Sequence, residues 1–190
     1  LPDFVKFSYI ACCFIIALCT LKWARAKKDW AFLCAGLGAT LAADYFLILF
    51  DDQKAGVPIF CIAHAFYILR ACAPDYKKAA RLFLVAAAFL LAFLFFLDKI
   101  AAVSLFYAVL FMMNLTVSFR GRFGNRILVV AGLALFALCD VNVFLYNLPR
   151  FAKYPVGYSL VSYRLIWCFY APSQLLLALS AVMFGRRRAN

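Results

Sequence analysis

The chain has 190 residues, of which 68% are hydrophobic and 22 are phenylalanines, where a soluble domain is about 45–50% apolar. Its mean hydropathy is +0.95 and its formal net charge is +12. A chain this short and this oily is one membrane-embedded unit over residues 1–190, with no room for a sizeable soluble domain beside it.

Apolar runs at 5–24, 30–50, 57–73, 80–97, 101–119, 127–148 and 162–184 each fit the ~20 residues that cross a bilayer as a helix. The expected fold is therefore all-α, a polytopic transmembrane helical bundle of about seven helices. The first run is too long for the apolar region of a cleavable signal, about 7–15 residues, and no small-residue cleavage site follows it. The chain begins at Leu1 rather than a methionine, which leaves room for an eighth helix upstream.

The positive charge is unevenly placed. Lys22, Arg25, Lys27 and Lys28 fill the first connection, and Arg70, Lys77, Lys78 and Arg81 flank the third. Arg120, Arg122 and Arg126 fill the fifth, and Arg186, Arg187 and Arg188 follow the last helix. If the helices alternate, these fourteen residues share one side. Lys6, Lys54, Lys99, Arg150, Lys153 and Arg164 lie on the other, offset by Asp3, Asp51, Asp52 and Asp98. The positive-inside rule then puts Leu1 outside and the C-terminus in the cytoplasm. An upstream helix would make the true N-terminus cytoplasmic and leave the rest unchanged. The basic excess favours anionic lipid headgroups. Nucleic acid is not an expected partner, because the loops are short and carry no recognition motif.

Eight cysteines, Cys12, Cys13, Cys19, Cys34, Cys61, Cys72, Cys139 and Cys168, fall in or beside the apolar runs without a C-x-x-C pair. They read as packing residues; the spacing of metal ligands is absent, and no metal or cofactor is expected.

Two aspartates interrupt the runs: Asp44 in LAADYFLILF and Asp140 in ALCDVNVFLY. A charge at the bilayer centre costs about 2.5–3.5 kcal/mol on insertion scales, so an intramembrane acid is a functional-site candidate. With a rise of about 1.5 Å per residue, Asp44 lies roughly 9 Å and Asp140 roughly 12 Å below the outer surface. His64, the sole histidine, and Tyr170 come to about 10 and 12 Å on the same scale. His64 and Tyr67 are three apart, and Tyr170 and Gln174 four apart, so each pair shares a helix face. Thr40, Ala39, Ala42 and Ala43 near Asp44 allow close helix packing. Pro172 removes one backbone bond from the last helix and favours a kink there. The two aspartate helices run the same way and resemble a weak parallel repeat. Simpler roles compete: either aspartate alone can serve a packing network, and His64 alone a hydrogen-bonded core. Asn114, Asn142 and Gln174 can be interhelical contacts worth about 0.6 kcal/mol. Asp51, Asp52, Arg164 and the terminal arginines read as solvated or snorkelling ends.

The spacing G-x-x-x-F-x-x-x-H-x-x-Y at Gly56, Phe60, His64 and Tyr67 follows the first aspartate closely. G-x-x-x-F-x-x-x-D at Gly132, Phe136 and Asp140, and then FYAPSQ at 169–174, complete the pattern. Together these resemble the YhhN family of integral membrane proteins, whose characterised members are lysoplasmalogenases and usually have about eight helices. The chain departs from the family pattern at Ala43, where glycine is usual, and at Cys139, where serine is frequent. Lys6-Phe7 stands where a Lys-Pro pair is common. The resemblance implies hydrolysis of the vinyl-ether bond of a lysophospholipid substrate, giving a fatty aldehyde and a glycerophospho-base. Such chemistry needs a carboxylic acid that keeps its proton near neutral pH, which burial and a neighbouring like charge promote. It also needs a second carboxylate, as glycosidases pair two carboxyls around a similar cation-like transition state. On that reading Asp44, Asp140 and His64 are catalytic, and Tyr67, Tyr170, Gln174 and Asn114 bind substrate or water. A proton-coupled transporter would use the same buried Asp/His layer. A retinal protein needs a lysine in the last helix, and 162–184 has none. An intramembrane aspartyl protease would need a Gly-x-Gly-Asp run, which GLGATLAAD lacks. The expected setting is a multi-pass membrane protein among membrane lipids, in the cytoplasmic membrane if the source is bacterial; no oligomeric state is implied.

Overall fold

The computed structural model describes residues 2–24, 26–121, 123, 125–147 and 156–182. Among them are seven helices and no strand: α1 (Asp3–Cys19), α2 (Lys27–Asp44), α3 (Gln53–Cys72), α4 (Tyr76–Phe96), α5 (Lys99–Ser118), α6 (Arg126–Asn147) and α7 (Val156–Leu179). A 3-10 turn, Thr20–Trp23, extends α1, and a π-turn, Tyr45–Leu49, extends α2. With these extensions, α1 to α6 are long and apolar enough to cross a membrane. The seventh is long enough, at 24 residues, but Ser159, Ser162, Arg164, Ser173 and Gln174 dilute its apolar character. Packing against α1, α2 and α6 lets α7 turn Ser162, Ser173 and Gln174 inward, where all three are buried. Leu148, Arg150, Lys153, Arg25, Arg122 and Arg186 to Arg188, on which the expected sixth boundary and part of the charge asymmetry rest, lie outside the described residues.

Aspartates set several helix starts. Asp52 accepts from the backbone N–H of Lys54 and Ala55 at 3.0 and 3.2 Å. Asp98 does the same for Ile100 and Ala101, and Asp75 caps α4 through Lys78. Each satisfies N–H groups that the first turn leaves without helical partners. The cap at Asp52 carries α3 back to Gln53, four residues before the run that hydropathy places from 57. Asp51, in the left-handed region with φ 51°, turns the chain just before it.

The helices pack as a ring, α1-α2-α3-α5-α6-α7, closed by α1 against α7, with α4 outside against α5 and α3. Of the six apolar helices α3 is the most buried and α4 the least. Close approach needs small residues at specific contacts. A Cβ on Gly36 would overlap the Tyr67 ring, and one on Gly132 would meet the Ser173 carbonyl and Leu177. Gly132 therefore brings α6 and α7 together, and Gly36 brings α2 and α3 together. The helix of α7 continues through Pro172.

One end of the ring is fastened by charge. Arg70, expected from sequence to flank the membrane, is 3% exposed instead. It donates two hydrogen bonds to Asp29, Nε to Oδ1 at 2.8 Å and Nη2 to Oδ2 at 3.1 Å. Nη1 donates to Ser180 Oγ at 2.8 Å, and the guanidinium lies 5.0 Å from the Phe123 ring centre. The cluster joins the start of α2, the end of α3 and the chain just after α7. Removing one partner of a buried ion pair costs about 3–5 kcal/mol, because the other charge stays buried. Asp29→Ala or Arg70→Ala is expected to lower thermal stability in detergent by that order. Arg70→Lys should also lose stability, since an ammonium cannot reproduce the fork.

Candidate active site

Two carboxyls from parallel helices are each met by a phenol. Asp44 closes the α-helical part of α2, and Tyr170 of α7 donates its hydroxyl to Asp44 Oδ2 at 2.5 Å. Asp140 lies on α6, and Tyr107 of α5 donates to its Oδ2 at 2.7 Å. Asp44 is 3% exposed and Asp140 is partly buried. Hydrogen bonds of this kind are electrostatically stronger in a low-dielectric interior than in water. The two dyads border one aromatic group, since Phe136 packs on both Tyr170 and His64 and His64 packs on Tyr107; no hydrogen bond joins one carboxyl to the other among the described residues.

Local backbone places the first dyad. The π-turn begins at the residue after Asp44, and such turns re-aim side chains and often mark functional sites. Gly56 at the start of α3 leaves room for Leu47 of that turn, where a Cβ would collide with the leucine side chain.

An aromatic wall encloses the cluster. Phe136 packs with Phe60, Phe111 and Tyr170, with ring centres 6.0, 5.5 and 5.3 Å away. His64 is fully buried among Tyr107, Phe111, Phe136 and Tyr67, at 5.2, 4.9, 5.7 and 6.0 Å. Ser118 Oγ donates to Asn114 Oδ1 at 3.3 Å, and the Asn114 amide donates to His64 Nδ1 at 3.2 Å. That orientation leaves the imidazole proton on Nε2, which has no partner among the described residues. Gln174 Oε1 is likewise buried without one. Buried polar atoms are normally paired, so an imidazole donor and an amide acceptor are left open within the bundle.

The sequence-derived residues divide clearly. Asp44 and Tyr170 bond directly, and Asn114 holds His64. Asp140 belongs with Tyr107, which spacing along single helices does not single out; its position eight residues into α5 is the signal that depth would have supplied. The Tyr67 hydroxyl instead lies 3.5 Å from Thr40 Oγ1, away from the carboxyls' hydrogen bonds. Gln174 is buried, with its amide nitrogen 3.5 Å from Ser173 Oγ. Asn142 turns back to its own helix, donating to the Leu138 carbonyl at 2.7 Å. The eight cysteines are all free thiols, five of them buried. No group of metal-ligating side chains occurs among the described residues.

The profile of the YhhN family matches residues 3–181, nearly the whole chain. The chain belongs to the YhhN family. No curated protein and no solved structure matches it. The family motifs at Gly56, Phe60 and His64 and at Gly132, Phe136 and Asp140 acquire a geometric meaning in this YhhN protein. The glycines set helix contacts, Phe60 and Phe136 meet face to edge, and His64 and Asp140 are linked through Tyr107. Contacting pairs show coupling energies of about 0.5–3 kcal/mol in double-mutant cycles. Cycles on thermal stability are expected to give values in that range for Asp140→Asn with Tyr107→Phe and for Asp44→Asn with Tyr170→Phe. The crossed pair, Asp44 with Tyr107, should couple more weakly than either.

Proposed function

We propose that this YhhN protein is a membrane-embedded hydrolase that cleaves the vinyl-ether bond at sn-1 of lysoplasmalogen-type lysophospholipids. The observation that carries this reading is the presence of two carboxyls, on α2 and α6, each held by a tyrosine from another helix inside an apolar bundle. Family membership supports it: the YhhN profile matches residues 3–181, and the family resemblance implies this reaction.

The slow step of vinyl-ether hydrolysis is proton transfer to carbon. One aspartate, entering the cycle as the acid, gives its proton to the outer carbon of the double bond. The π electrons form the new C–H bond and leave an oxocarbenium ion shared by the inner carbon and the ether oxygen. The other aspartate, as carboxylate, faces that cation and accepts a proton from the water that adds to it. Collapse of the hemiacetal moves its hydroxyl proton to a carboxylate and a carboxyl proton to the departing glycerol oxygen. One water is consumed and both aspartates are restored. Tyr170 and Tyr107 each hold one carboxyl oxygen and leave the other for substrate, which is the positioning that makes such transfer efficient. The open His64 donor and Gln174 acceptor suit a water or substrate hydroxyl.

Incubation with alkenyl and matched acyl lysophospholipids, with aldehyde and fatty acid measured separately, tests the reading. Aldehyde from the alkenyl lipid alone is expected. Fatty acid from the acyl lipid would make the protein a lysophospholipase, and turnover of neither would favour a proton-coupled transporter using the same Asp/His layer. General acid–base groups contribute about 10²–10⁴-fold to rate. Asp44→Asn and Asp140→Asn, each shown to be folded, should each lower aldehyde release by that order; full activity in both would sink the mechanism.

A further inference from the structure

We propose that Lys6 is the phosphate-binding residue of this site, seating the phosphodiester of a single-chain phospholipid above the Asp44–Tyr170 dyad. The inference rests on the lipid-hydrolase reading and assigns its headgroup subsite.

Lys6 is the one buried side chain in the first two turns of α1, with the side chain 7% exposed. A desolvated ammonium requires an anion and hydrogen-bond acceptors. Lys6 Nζ donates to Asp3 Oδ1 at 2.7 Å and to Tyr163 Oη at 3.3 Å. It also lies over the rings of Tyr163 and Trp167, 5.5 and 5.6 Å from their centres. The cation is held in an aromatic corner formed by α7, while its counter-ion is 60% exposed. An ammonium has three N–H donors, and these two bonds use two of them. Asp3 is thus a solvent-facing anion that a phosphodiester can join or replace, whereas the lysine is fixed.

The helix that frames this corner leads to the carboxyl. Tyr163, Trp167 and Tyr170 follow at spacings of four and three, so they share one face of α7. The Trp167 and Tyr170 rings meet edge to face at 5.5 Å, and Tyr170 bonds Asp44. From Tyr163 to Tyr170 the helix rises about 10 Å. The neighbouring helix agrees: Phe7, next to Lys6, lies 6.0 Å from the ring of Tyr45, next to Asp44. The ammonium and the carboxyl therefore stand at the same end of the bundle, the cation nearer the helix termini.

This spacing matches the substrate. From the carbon that takes the proton to the phosphorus is a path of about seven bonds, roughly 8 Å when extended at the backbone-like reach of about 1.2 Å per bond. A charge-assisted hydrogen bond adds about 2.8 Å. A phosphate held by Lys6 thus places the vinyl ether level with Asp44.

Binding is read with ligands that cannot be hydrolysed. Purified wild type, Lys6→Gln and Lys6→Arg in detergent are titrated calorimetrically with a 1-alkyl lysophospholipid and with the matching 1-alkylglycerol, which lacks the phosphate. Hydrogen bonds to charged groups correspond to about ten- to a hundred-fold in affinity. Wild type is expected to prefer the phospholipid by at least about ten-fold, Lys6→Arg to keep that preference, and Lys6→Gln to bring it close to parity. Inorganic phosphate at the same concentration should not displace the lipid. Equal wild-type affinities, a preference retained by Lys6→Gln, or displacement by inorganic phosphate would each overturn the assignment. If Lys6→Gln fails to fold, the wild-type preference and its weakening as salt rises decide the matter. Turnover plays no part in this readout. Phosphate-selective binding without aldehyde release would reject the hydrolase and keep the subsite; aldehyde release without phosphate preference would do the reverse.

Discussion

The constraint on which the structure depends is the placing of two carboxyls in a bundle surrounded by hydrocarbon. Neither can be left bare there, because an unpaired polar group in a low-dielectric interior is costly. The chain meets the cost with two phenols delivered from separate helices: Tyr170 to Asp44 and Tyr107 to Asp140. Each dyad needs its two helices close and in correct axial register. The glycine contacts tie each aspartate helix to a different neighbour, α2 to α3 and α6 to α7, and so hold the ring in which α2 meets α7 and α5 meets α6. The π-turn after Asp44 ends the α-helical register of α2 at this carboxyl.

How far the sequence foretold this follows from what kind of signal each feature leaves. Membrane spans are composition, so α1 to α6 were legible as runs. Their starts were less so, because Asp52 and Asp98 act through capping bonds that hydropathy does not see. Asp44, Asp140 and His64 stood out because each is rare in oily sequence. Tyr107 did not: it is one tyrosine of 10 in the chain, and its partner is on another helix. Tyr67 shows the reverse, since three residues from His64 is the same face but about 4.5 Å further along the axis. That displacement carries its hydroxyl to Thr40 instead of a carboxyl. The resemblance between the two aspartate segments also has a physical counterpart, for in both the carboxyl accepts from a tyrosine of a neighbouring helix.

Charge is treated in opposite ways at the two ends. At one end Arg70 is matched by a forked carboxylate, a hydroxyl and an aromatic face, so its bonding capacity is largely spent on protein. At the other end Lys6 is buried beside aromatic rings, but its anion is mostly solvent-exposed. A fork that ties three chain segments suits a permanent fastening. A compact ammonium on a flexible stem suits an exchangeable partner. The Asp44–Tyr170 dyad lies towards the Lys6 end, where α1, the π-turn and α7 meet.

His64 sits between these regimes, on α3, the most buried of the apolar helices, which packs against α2, α5 and α4. Its Nδ1 is committed to Asn114, which is itself held by Ser118 from one turn further along α5. The commitment leaves the opposite nitrogen as a donor enclosed by four aromatic rings. A purely structural histidine in such a place would be expected to satisfy both nitrogens, because the cost of an open donor is about 1–3 kcal/mol. The same cost falls on Gln174 Oε1, one turn below the tyrosine that holds Asp44. Buried polar atoms are normally satisfied by protein or by ordered water, and each of these two has the chemistry to hold a water: the imidazole as donor, the amide oxygen as acceptor.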